Sequence, residues 1–466
     1  MVIIQENPSL KPDDDRISQL PDDILCTILS SLSLKEGAKM RLLSSKWKGL
    51  SPFTSNLRLD PLSILGIGIC IDRDYMKIVR SHKSKFVTAV TQILKLYTGP
   101  KLDSFEVSFP LEDDSASNVD GWISFALEQA ANRLIIDFGP RTGVESYYTF
   151  PFHLLPDGKA SPLKHLSLKV CALSCVPDYA VKVHSLVTLY IGSTRINQVS
   201  LDNILSGCVN LEFLRIHLCY VPETCCITGA LGRLKRLIIE ECIDYGRIEL
   251  NSLPELTTFE YMGPEKKFTL LGLPSLEKIY FRFINYSYVG ATYVFNRLAK
   301  DVSHLQTLSF ILAPMQEPPM PVSITPFKYL KNLELFILVA PNYDLLTIVH
   351  ILNASPVLQK FLLSLYIYHN GKKASGVIDN KCIHFHLKEV EICGFSDRCN
   401  CMELAVYLLD SAVSLKRMLI NSQGRKYHGV DRWTYDKVFP KNLNREVTHD
   451  LLQKHNVDSK VEIVVI

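Results

Sequence analysis

The apolar residues of this chain recur in a short unit, Leu-x-x-Leu-x-Leu, in which other apolar side chains often replace a leucine. Clear copies begin at Leu163, Leu186, Leu211, Leu234, Leu305 and Leu330, and weaker ones at Leu102, Leu256, Leu276, Leu358, Leu387 and Leu415, with a degenerate copy near 133–136. Successive side chains of a strand point to opposite faces, so the last two apolar residues of each unit point inwards. The pattern predicts short parallel strands that stack and share one core.

Three cysteines support a specific type of repeat. Cys171, Cys219 and Cys242 each stand three residues after the last apolar residue of a copy, where leucine-rich repeats carry asparagine or cysteine. The copies start roughly 20 to 32 residues apart, which brackets the spacing of such repeats. We therefore predict an α/β leucine-rich-repeat solenoid: a curved parallel sheet with irregular outer helices and loops, and with these thiols buried. The proline-rich stretch 313–321 is predicted to be a loop, and a helix is expected around Val294–Lys300.

The N-terminal segment has a helical pattern instead. Pro21 suits the first turn of a helix, and Asp22 and Asp23 favour its positive end. An apolar stripe follows at helical spacing, at Ile24, Leu25, Ile28, Leu29 and Leu32. A capping box at 33–36 starts a second helix, and further apolar positions follow at Met40, Leu42, Leu43, Trp47 and Leu50. The segment predicts about three small helices.

These residues resemble the F-box of plant F-box proteins, in the stretches DRISQLPDDILCTILSSL and LLSSKWKGL. The resemblance implies that the Leu20-Pro21 pair contacts a Skp-type adaptor and, through it, a cullin. Within the motif, the residues carried over as adaptor-binding are Leu20, Pro21, Ile24, Leu25, Ile28, Leu29, Leu42, Leu43 and Trp47. Near the C-terminus, LKEVEICGF and MELAVYLLDSAVSLKRMLI are similar to the FBD module, a strand, a helix and a second strand.

Together the repeats and the resemblance predict six regions. They are a flexible tail (1–14), an F-box (15–51), a linker and N-terminal cap (52–101), leucine-rich repeats (102–384), an FBD-like region that ends the solenoid (385–425) and a C-terminal extension (426–466).

Composition narrows the function classes. The formal net charge is +3 and basic residues are spread along the chain, which argues against a nucleic-acid partner. No apolar run reaches the length of a membrane span, and the N-terminus lacks the basic start of a secretory signal. We expect an intracellular protein of the nucleus, the cytoplasm or both, with no membrane partner.

No catalytic or nucleotide-binding motif is found, so the chain is predicted to be non-catalytic. The F-box resemblance implies that it is the substrate-recognition subunit of a Skp-cullin-F-box ubiquitin ligase, whose repeats bind a target protein for ubiquitination. Cysteines and histidines cluster at Cys382, His384, His386, Cys393, Cys399 and Cys401, but they lack paired metal-binding knuckles. His384 and His386 are expected to share one strand face. We predict no metal site and ordinary thiols.

Outward strand positions give the predicted target surface: Phe213, Arg215, His217, Arg236, Lys278, Tyr280, Arg282 and Phe336, with Glu240 and Glu334 beside them. Arginine and aromatic side chains often dominate interfaces. The four basic residues predict a patch for an acidic or phosphorylated peptide. We expect no cofactor; an inositol phosphate, which some plant hormone receptors of similar architecture hold, or another anionic ligand is the alternative. A repeat scaffold with a degenerate F-box and a ligand-sensing receptor remain the competing functions.

Overall fold

The structure is a computed structural model. It describes residues 17, 19–31, 40, 55–68, 74–140, 147–156, 161–173, 182–243, 246–264, 266–283, 292–312, 323–339, 343–367, 382–396, 399–427, 429, 432–436, 444–456 and 461–466. The chain divides into two compact units, one formed by Met1–Leu186 with Ile191–Thr194 and the other by Val187–Tyr190 with Arg195–Ile466. Strand β5 (Thr188–Gly192) contains the boundary between them.

In the first unit, neighbouring strands pair in parallel in the order β1 (Asn56–Leu59), β2 (Ser104–Ser108), β3 (Arg133–Asp137) and β4 (His165–Lys169). Its described helices are α1 (Asp22–Ser31), α2 (Pro61–Leu65), α3 (Tyr75–Lys95) and α4 (Ala116–Glu128), with single 3₁₀ turns at Asp113–Ser115 and Phe152–Leu154. Aromatic side chains fill its core, where the rings of Phe86 and Phe109 stack with centroids 4.3 Å apart.

In the described part of the second unit, ten strands pair in parallel in its largest sheet. Their order is β6 (Phe213–His217), β8 (Arg236–Glu240), β10 (Thr258–Gly263), β12 (Lys278–Phe283), β13 (Thr307–Leu312), β14 (Asn332–Val339), β15 (Lys360–Ile367), β16 (Glu389–Cys393), β17 (Arg417–Asn421) and β20 (Glu462–Val465). One face packs on the repeat core, through residues such as Leu237 and Ile239. We call the opposite face, formed by residues such as Arg236, Ile238 and Glu240, the front face.

The sequence repeat and the strands coincide. Every copy that begins with leucine carries a strand that starts two residues later, from Leu102 and β2 to Leu415 and β17. The recurring spacing follows from packing, because the first leucine is buried in the turn before the strand and the other two apolar residues are buried within it. The prediction of an α/β leucine-rich-repeat fold is confirmed.

The three repeat cysteines are buried, as predicted. Cys171, Cys219 and Cys242 are 1%, 0% and 3% exposed. Each thiol lies within hydrogen-bonding distance of the carbonyl oxygen two residues earlier, at the end of the strand, with Sγ–O distances of 3.4, 3.3 and 3.5 Å. A small side chain that satisfies a turn carbonyl explains cysteine at this position.

The back of the second unit differs from the prediction. Between the strands of its first repeats the chain forms a separate parallel sheet of β7 (Thr224–Thr228), β9 (Arg247–Asn251) and β11 (Lys267–Leu271), not helices or loops. These repeats start only about 20 to 23 residues apart. A strand advances about 3.3 Å per residue and a helix about 1.5 Å, so a short repeat can return along the back only in extended form.

Longer repeats return through helices. The described ones are α5 (Gln198–Ser206), a π-type turn Val294–Leu298 that continues into α6 (Ala299–Asp301), a 3₁₀ turn Leu345–Ile348 that continues into α7 (Val349–Asn353), α8 (Cys401–Ser411) and α9 (Arg445–His455). Asparagine caps two of them, since Asn197 and Asn444 accept bonds from the backbone N–H groups of Ser200 and Val447. The helix expected around Val294–Lys300 is confirmed, whereas the proline-rich loop 313–321 lies outside the described residues.

Repeat strands extend beyond the predicted boundaries at both ends. β1 pairs with β2 although it lies in the predicted linker 52–101. The region 426–466, predicted to be an extension, contains α9 and β20, and β20 adds a strand in parallel to β17. The FBD-like region therefore does not end the repeats. It does have the strand, helix and strand that its pattern predicts, as β16, α8 and β17.

Candidate protein-binding surfaces

Helix α1 separates two sets of apolar residues. Leu25 and Leu29 are 0% and 1% exposed and form a small cluster with Cys26, Ile28 and Met40 packed against it. On the other side, Leu20 and Ile24 are 36% and 44% exposed, and Pro21 is exposed between them. The spacing of three and four residues produces this division, because it returns side chains to one side of a helix. The result is an exposed apolar face at the start of α1.

This geometry corrects part of the predicted adaptor-binding set. Leu25 and Leu29 are buried in the chain itself, so they support the helix and are not available to a partner. Ile28 is half-buried against them. Leu42, Leu43 and Trp47 lie outside the described residues. The structure thus brings Leu20, Pro21 and Ile24 together as the accessible part of the set.

A hairpin from the C-terminal part of the chain crosses the front face of the second unit. It consists of β18 (Gly424–Tyr427) and β19 (Trp433–Asp436), which pair antiparallel. The backbone of Arg425 anchors it, since its N–H donates to Ser364 Oγ at 2.8 Å and its carbonyl accepts from the hydroxyls of Ser364 and Tyr366. Ser364 is a front-face residue of β15 and is fully buried there. The hairpin is therefore packed on the sheet.

Aromatic side chains of the hairpin cover two residues predicted to bind a target. Tyr427 stacks on Tyr280 with ring centroids 5.3 Å apart, and Trp433 stacks on Phe336 at 5.0 Å. Phe336 is only 2% exposed. The prediction that Phe336 contacts a target is wrong, because this ring is occupied by the chain's own tryptophan. Arg425 completes the cluster, with its guanidinium 4.7 Å from the centre of the Trp433 ring.

A carboxylate lies buried under the hairpin. Glu260 of β10 is 4% exposed and pairs with the guanidinium of Arg236 on the neighbouring strand. Its other oxygen accepts a hydrogen bond from the Tyr427 hydroxyl at 2.8 Å. A buried charge requires such partners, because removal from water is costly for an unpaired ion. Arg236 is thus committed to holding Glu260 and is not free for a target.

The predicted basic patch is only partly basic. Arg215 pairs with Glu240 and Arg236 pairs with Glu260, so carboxylates of neighbouring strands compensate two of its four cations. Lys278 is exposed and lines a groove with Glu334. His217 lies within 2.9 Å of the Tyr190 hydroxyl, and Phe213 is half-buried at the start of β6. The patch is therefore corrected to a mixed surface.

Beside the hairpin the front face contains a cavity of about 200 Å³. Strands β6, β8, β10, β12, β13 and β14 form its floor and the hairpin residues Lys426, Tyr427 and Gly429 form one wall. Apolar side chains such as Ile238, Met262 and Ile311 line it. Arg282 is half-buried at the same cavity.

The hairpin is absent from the sequence-based prediction, although the strands carry a signal for it. In a repeat whose front face meets only water, outward residues are expected to be polar. Here Ile238, Phe336 and Leu362 occupy outward positions and are 4%, 2% and 7% exposed. An apolar residue at an outward position indicates that another segment covers the sheet there. Nothing in that pattern, however, names residues 424–436 as the covering segment.

Of the cysteine and histidine cluster, the fold brings the thiols of Cys399 and Cys401 to 2.6 Å from each other. Within the described residues, no three histidine, cysteine or acidic side chains are placed so that they could hold a metal ion. His384 and His386 do not lie on a strand; His384 is buried with Nε2 3.0 Å from the Tyr407 hydroxyl, whereas His386 is exposed. Burial lowers the pKa of His384. The expectation that both rings share a strand face is wrong.

None of the described helices combines enough length with enough apolar character to cross a bilayer.

A helix with an exposed Leu-Pro-x-x-Ile face, followed by parallel repeat strands, is the architecture of an F-box protein with leucine-rich repeats. The F-box domain family matches residues 17–51, and the family described as At1g61320/AtMIF1, LRR domain matches residues 93–448. The chain belongs to the plant F-box/LRR-repeat family. Proteins of this family are generally non-catalytic substrate adaptors.

Relatives from Arabidopsis thaliana have names that state the same combination of domains. The chain is 27% identical over 429 residues to the F-box/FBD/LRR-repeat protein At2g04230, covering 88% of this chain and 89% of the relative. It is 29% identical over 259 residues to the F-box/FBD/LRR-repeat protein At3g52680, covering 55% of this chain and 50% of the relative. The chain spans about half the length of the first curated relatives it matches.

Proposed function

We propose that this protein is the substrate-recognition subunit of a Skp-cullin-F-box ubiquitin ligase. In this proposal the exposed face of α1 binds a Skp-type adaptor, which carries a cullin, and the repeats bind a target protein. The chain itself catalyses no reaction and acts in the nucleus, the cytoplasm or both.

The observation that carries the proposal is the exposure of Leu20, Pro21 and Ile24 on one side of α1. Large apolar side chains on a helix gain free energy when a partner covers them, about 25 cal/mol for each Å² removed from water. Leu25 and Leu29 anchor the opposite side of the helix in its own cluster, so the exposed face is presented by a supported element. The F-box match over the same residues supports a Skp-type adaptor as the partner.

In such an assembly the contribution of this chain to catalysis is proximity. Binding the target next to the conjugating enzyme raises the effective concentration of its lysine side chains. The repeats suit this role because they present a broad front face, and binding a target there needs no catalytic group.

The test is co-purification with a Skp-type adaptor. The double variant Leu20→Ala, Pro21→Ala is expected to weaken adaptor binding at least about tenfold, since loss of roughly 1.4 kcal/mol of apolar contact has that effect. The chain offers a matched control in Pro61→Ala, Leu62→Ala, which removes the same two residue types from α2, where Leu62 is 63% exposed. The control is expected to bind as wild type does. Failure of folded wild type to bind any Skp-type adaptor would refute the proposal and leave a repeat scaffold.

A further inference from the structure

The cavity beside the hairpin is too small for most complete small-molecule ligands. Sites for drug-sized ligands usually have volumes of about 300–1,000 Å³, whereas this one has about 200 Å³. Ile238, Met262 and Ile311 make its floor apolar, and the rings of Tyr280 and Tyr427 stand at its side. A space of this size and lining fits one bulky apolar side chain.

The edge of the cavity carries surplus positive charge. Of its three lining cations, Arg215 is paired with Glu240, and the remaining lining carboxylate, Glu260, is already held by Arg236 and Tyr427. Within the described part of the chain, Arg282 and Lys426 have no carboxylate at ion-pair distance. A guanidinium forms its strongest hydrogen bonds with a carboxylate, through two parallel N–H donors. An acidic group is therefore the complementary neighbour for this edge.

We propose that this cavity is the specificity pocket for the target, and that it takes an extended target segment with a bulky apolar side chain next to an acidic residue. The apolar side chain enters the cavity and the carboxylate meets Arg282 and Lys426. The inference rests on the proposed function, because it assumes that the repeats bind a target. It also assigns the hairpin a role: Lys426 and Tyr427 of β18 form one wall, so the pocket is complete only while β18 is packed on the sheet.

The pocket can be tested without knowing the target. The full chain, purified with its adaptor, is used to select from a phage-displayed library of random peptides. Selected peptides are expected to carry aspartate or glutamate within two residues of a bulky apolar side chain. One selected peptide, labelled with fluorescein, is then measured by fluorescence anisotropy against wild type and variants.

Charge reversal supplies the decisive comparison. The double variant Arg282→Glu, Lys426→Glu is expected to bind that peptide at least about tenfold more weakly than wild type does. The same peptide with lysine in place of its acidic residue is expected to recover binding to the variant. Lys267→Glu is the matched control, an exposed lysine on β11 of the small back sheet. It should leave the peptide affinity unchanged.

A second variant fills the cavity without altering charge. Ser309 lines the floor and is 4% exposed, so Ser309→Leu is expected to reduce peptide binding while its melting temperature reports that the fold is kept. The inference is overturned if no peptide is enriched, if enriched peptides show no acidic preference, or if charge reversal leaves their affinity unchanged. Adaptor binding is measured on the same proteins. If wild type does not bind the adaptor, the proposed function is contradicted. If wild type binds the adaptor and any of those peptide results is obtained, the pocket alone is contradicted.

Discussion

Left-handed backbone turns close several strands of the repeats. Val170, Leu218 and Glu241 have φ values of 58°, 54° and 52° directly after β4, β6 and β8, and Gly394 has 71° after β16. Most L-residues avoid this region, so tertiary packing must enforce it at the three non-glycine positions. At Gly394 the chain also approaches its neighbour closely, because an added Cβ would lie 2.2 Å from the carbonyl oxygen of Leu365.

Gly394→Ala should therefore destabilise the protein markedly. Both the positive φ and the clash with a backbone atom oppose a methyl group, and we expect the free energy of unfolding to fall by at least about 2 kcal/mol. Gly121→Ala is the matched control, because Gly121 lies within α4 with nothing within 4 Å of an added Cβ. That change should stabilise by about 0.5–1 kcal/mol through helix propensity. Urea denaturation measures the free energy of unfolding of both variants. Equal effects would show that the close approach of Gly394 to Leu365 does not disfavour a side chain.

At the scale of elements, the hairpin depends on a few specific contacts with the sheet. Tyr427→Phe removes only the hydroxyl that bonds to buried Glu260. A hydrogen bond to a charged, buried acceptor contributes about 1.5–3 kcal/mol, so we expect a loss of stability in that range. We also expect faster cleavage within 424–436 in limited proteolysis.

Tyr435→Phe provides the comparison on the other strand of the hairpin. Its hydroxyl lies 3.2 Å from Glu391, but the side chain is 46% exposed and water can replace the lost bond. We expect a change within about 0.5 kcal/mol. A similar cost for both variants would mean that burial of Glu260 does not strengthen the Tyr427 contact.

The strands of the repeats were predictable because each depends on its own sequence. Leucine spacing alone locates β2 and the later strands that belong to a leucine-led copy, and Pro21, the two aspartates after it and the apolar stripe locate α1. The back strands β7, β9 and β11 were missed, since their form depends on repeat length more than on their residues. Hairpin strands β18 and β19 were missed because their partners, such as Phe336 and Ser364, are distant in sequence.

The candidate binding surfaces were likewise only partly predictable from the sequence. Leu20 and Ile24 could be assigned from a motif, whereas the motif did not separate them from buried Leu25 and Leu29. The front-face residues Arg215, Tyr280 and Arg282 follow from strand alternation. Their partners do not follow from it, because pairing with Glu240 or stacking on Tyr427 depends on how neighbouring repeats and the hairpin are placed.

At the scale of the whole molecule, buried titratable groups in both units couple stability to pH. Burial lowers the pKa of His165 in the first unit and of His384 in the second below the usual 6.5. Burial raises the pKa of the Cys208 thiol to about 12, and it also raises those of Cys171 and Cys393. The folded chain therefore favours neutral imidazoles and protonated thiols.

These shifts predict a stability maximum between about pH 7 and pH 8.5, with a decline on each side. Below about pH 6.5 the unfolded chain binds more protons than the folded chain at His384, so stability falls as pH decreases. Above the unfolded thiol pKa of 9.0 the unfolded chain releases protons that the folded chain retains at Cys208, so stability falls as pH rises. Thermal melts under reducing conditions from pH 5.5 to 9.5 measure both limbs. His384→Gln should make the acid limb shallower and leave the alkaline limb unchanged, and Cys208→Ala should do the reverse, while His165, Cys171 and Cys393 maintain the remaining slopes. If the melting temperature of wild type were constant across this range, neither burial effect would contribute to folding.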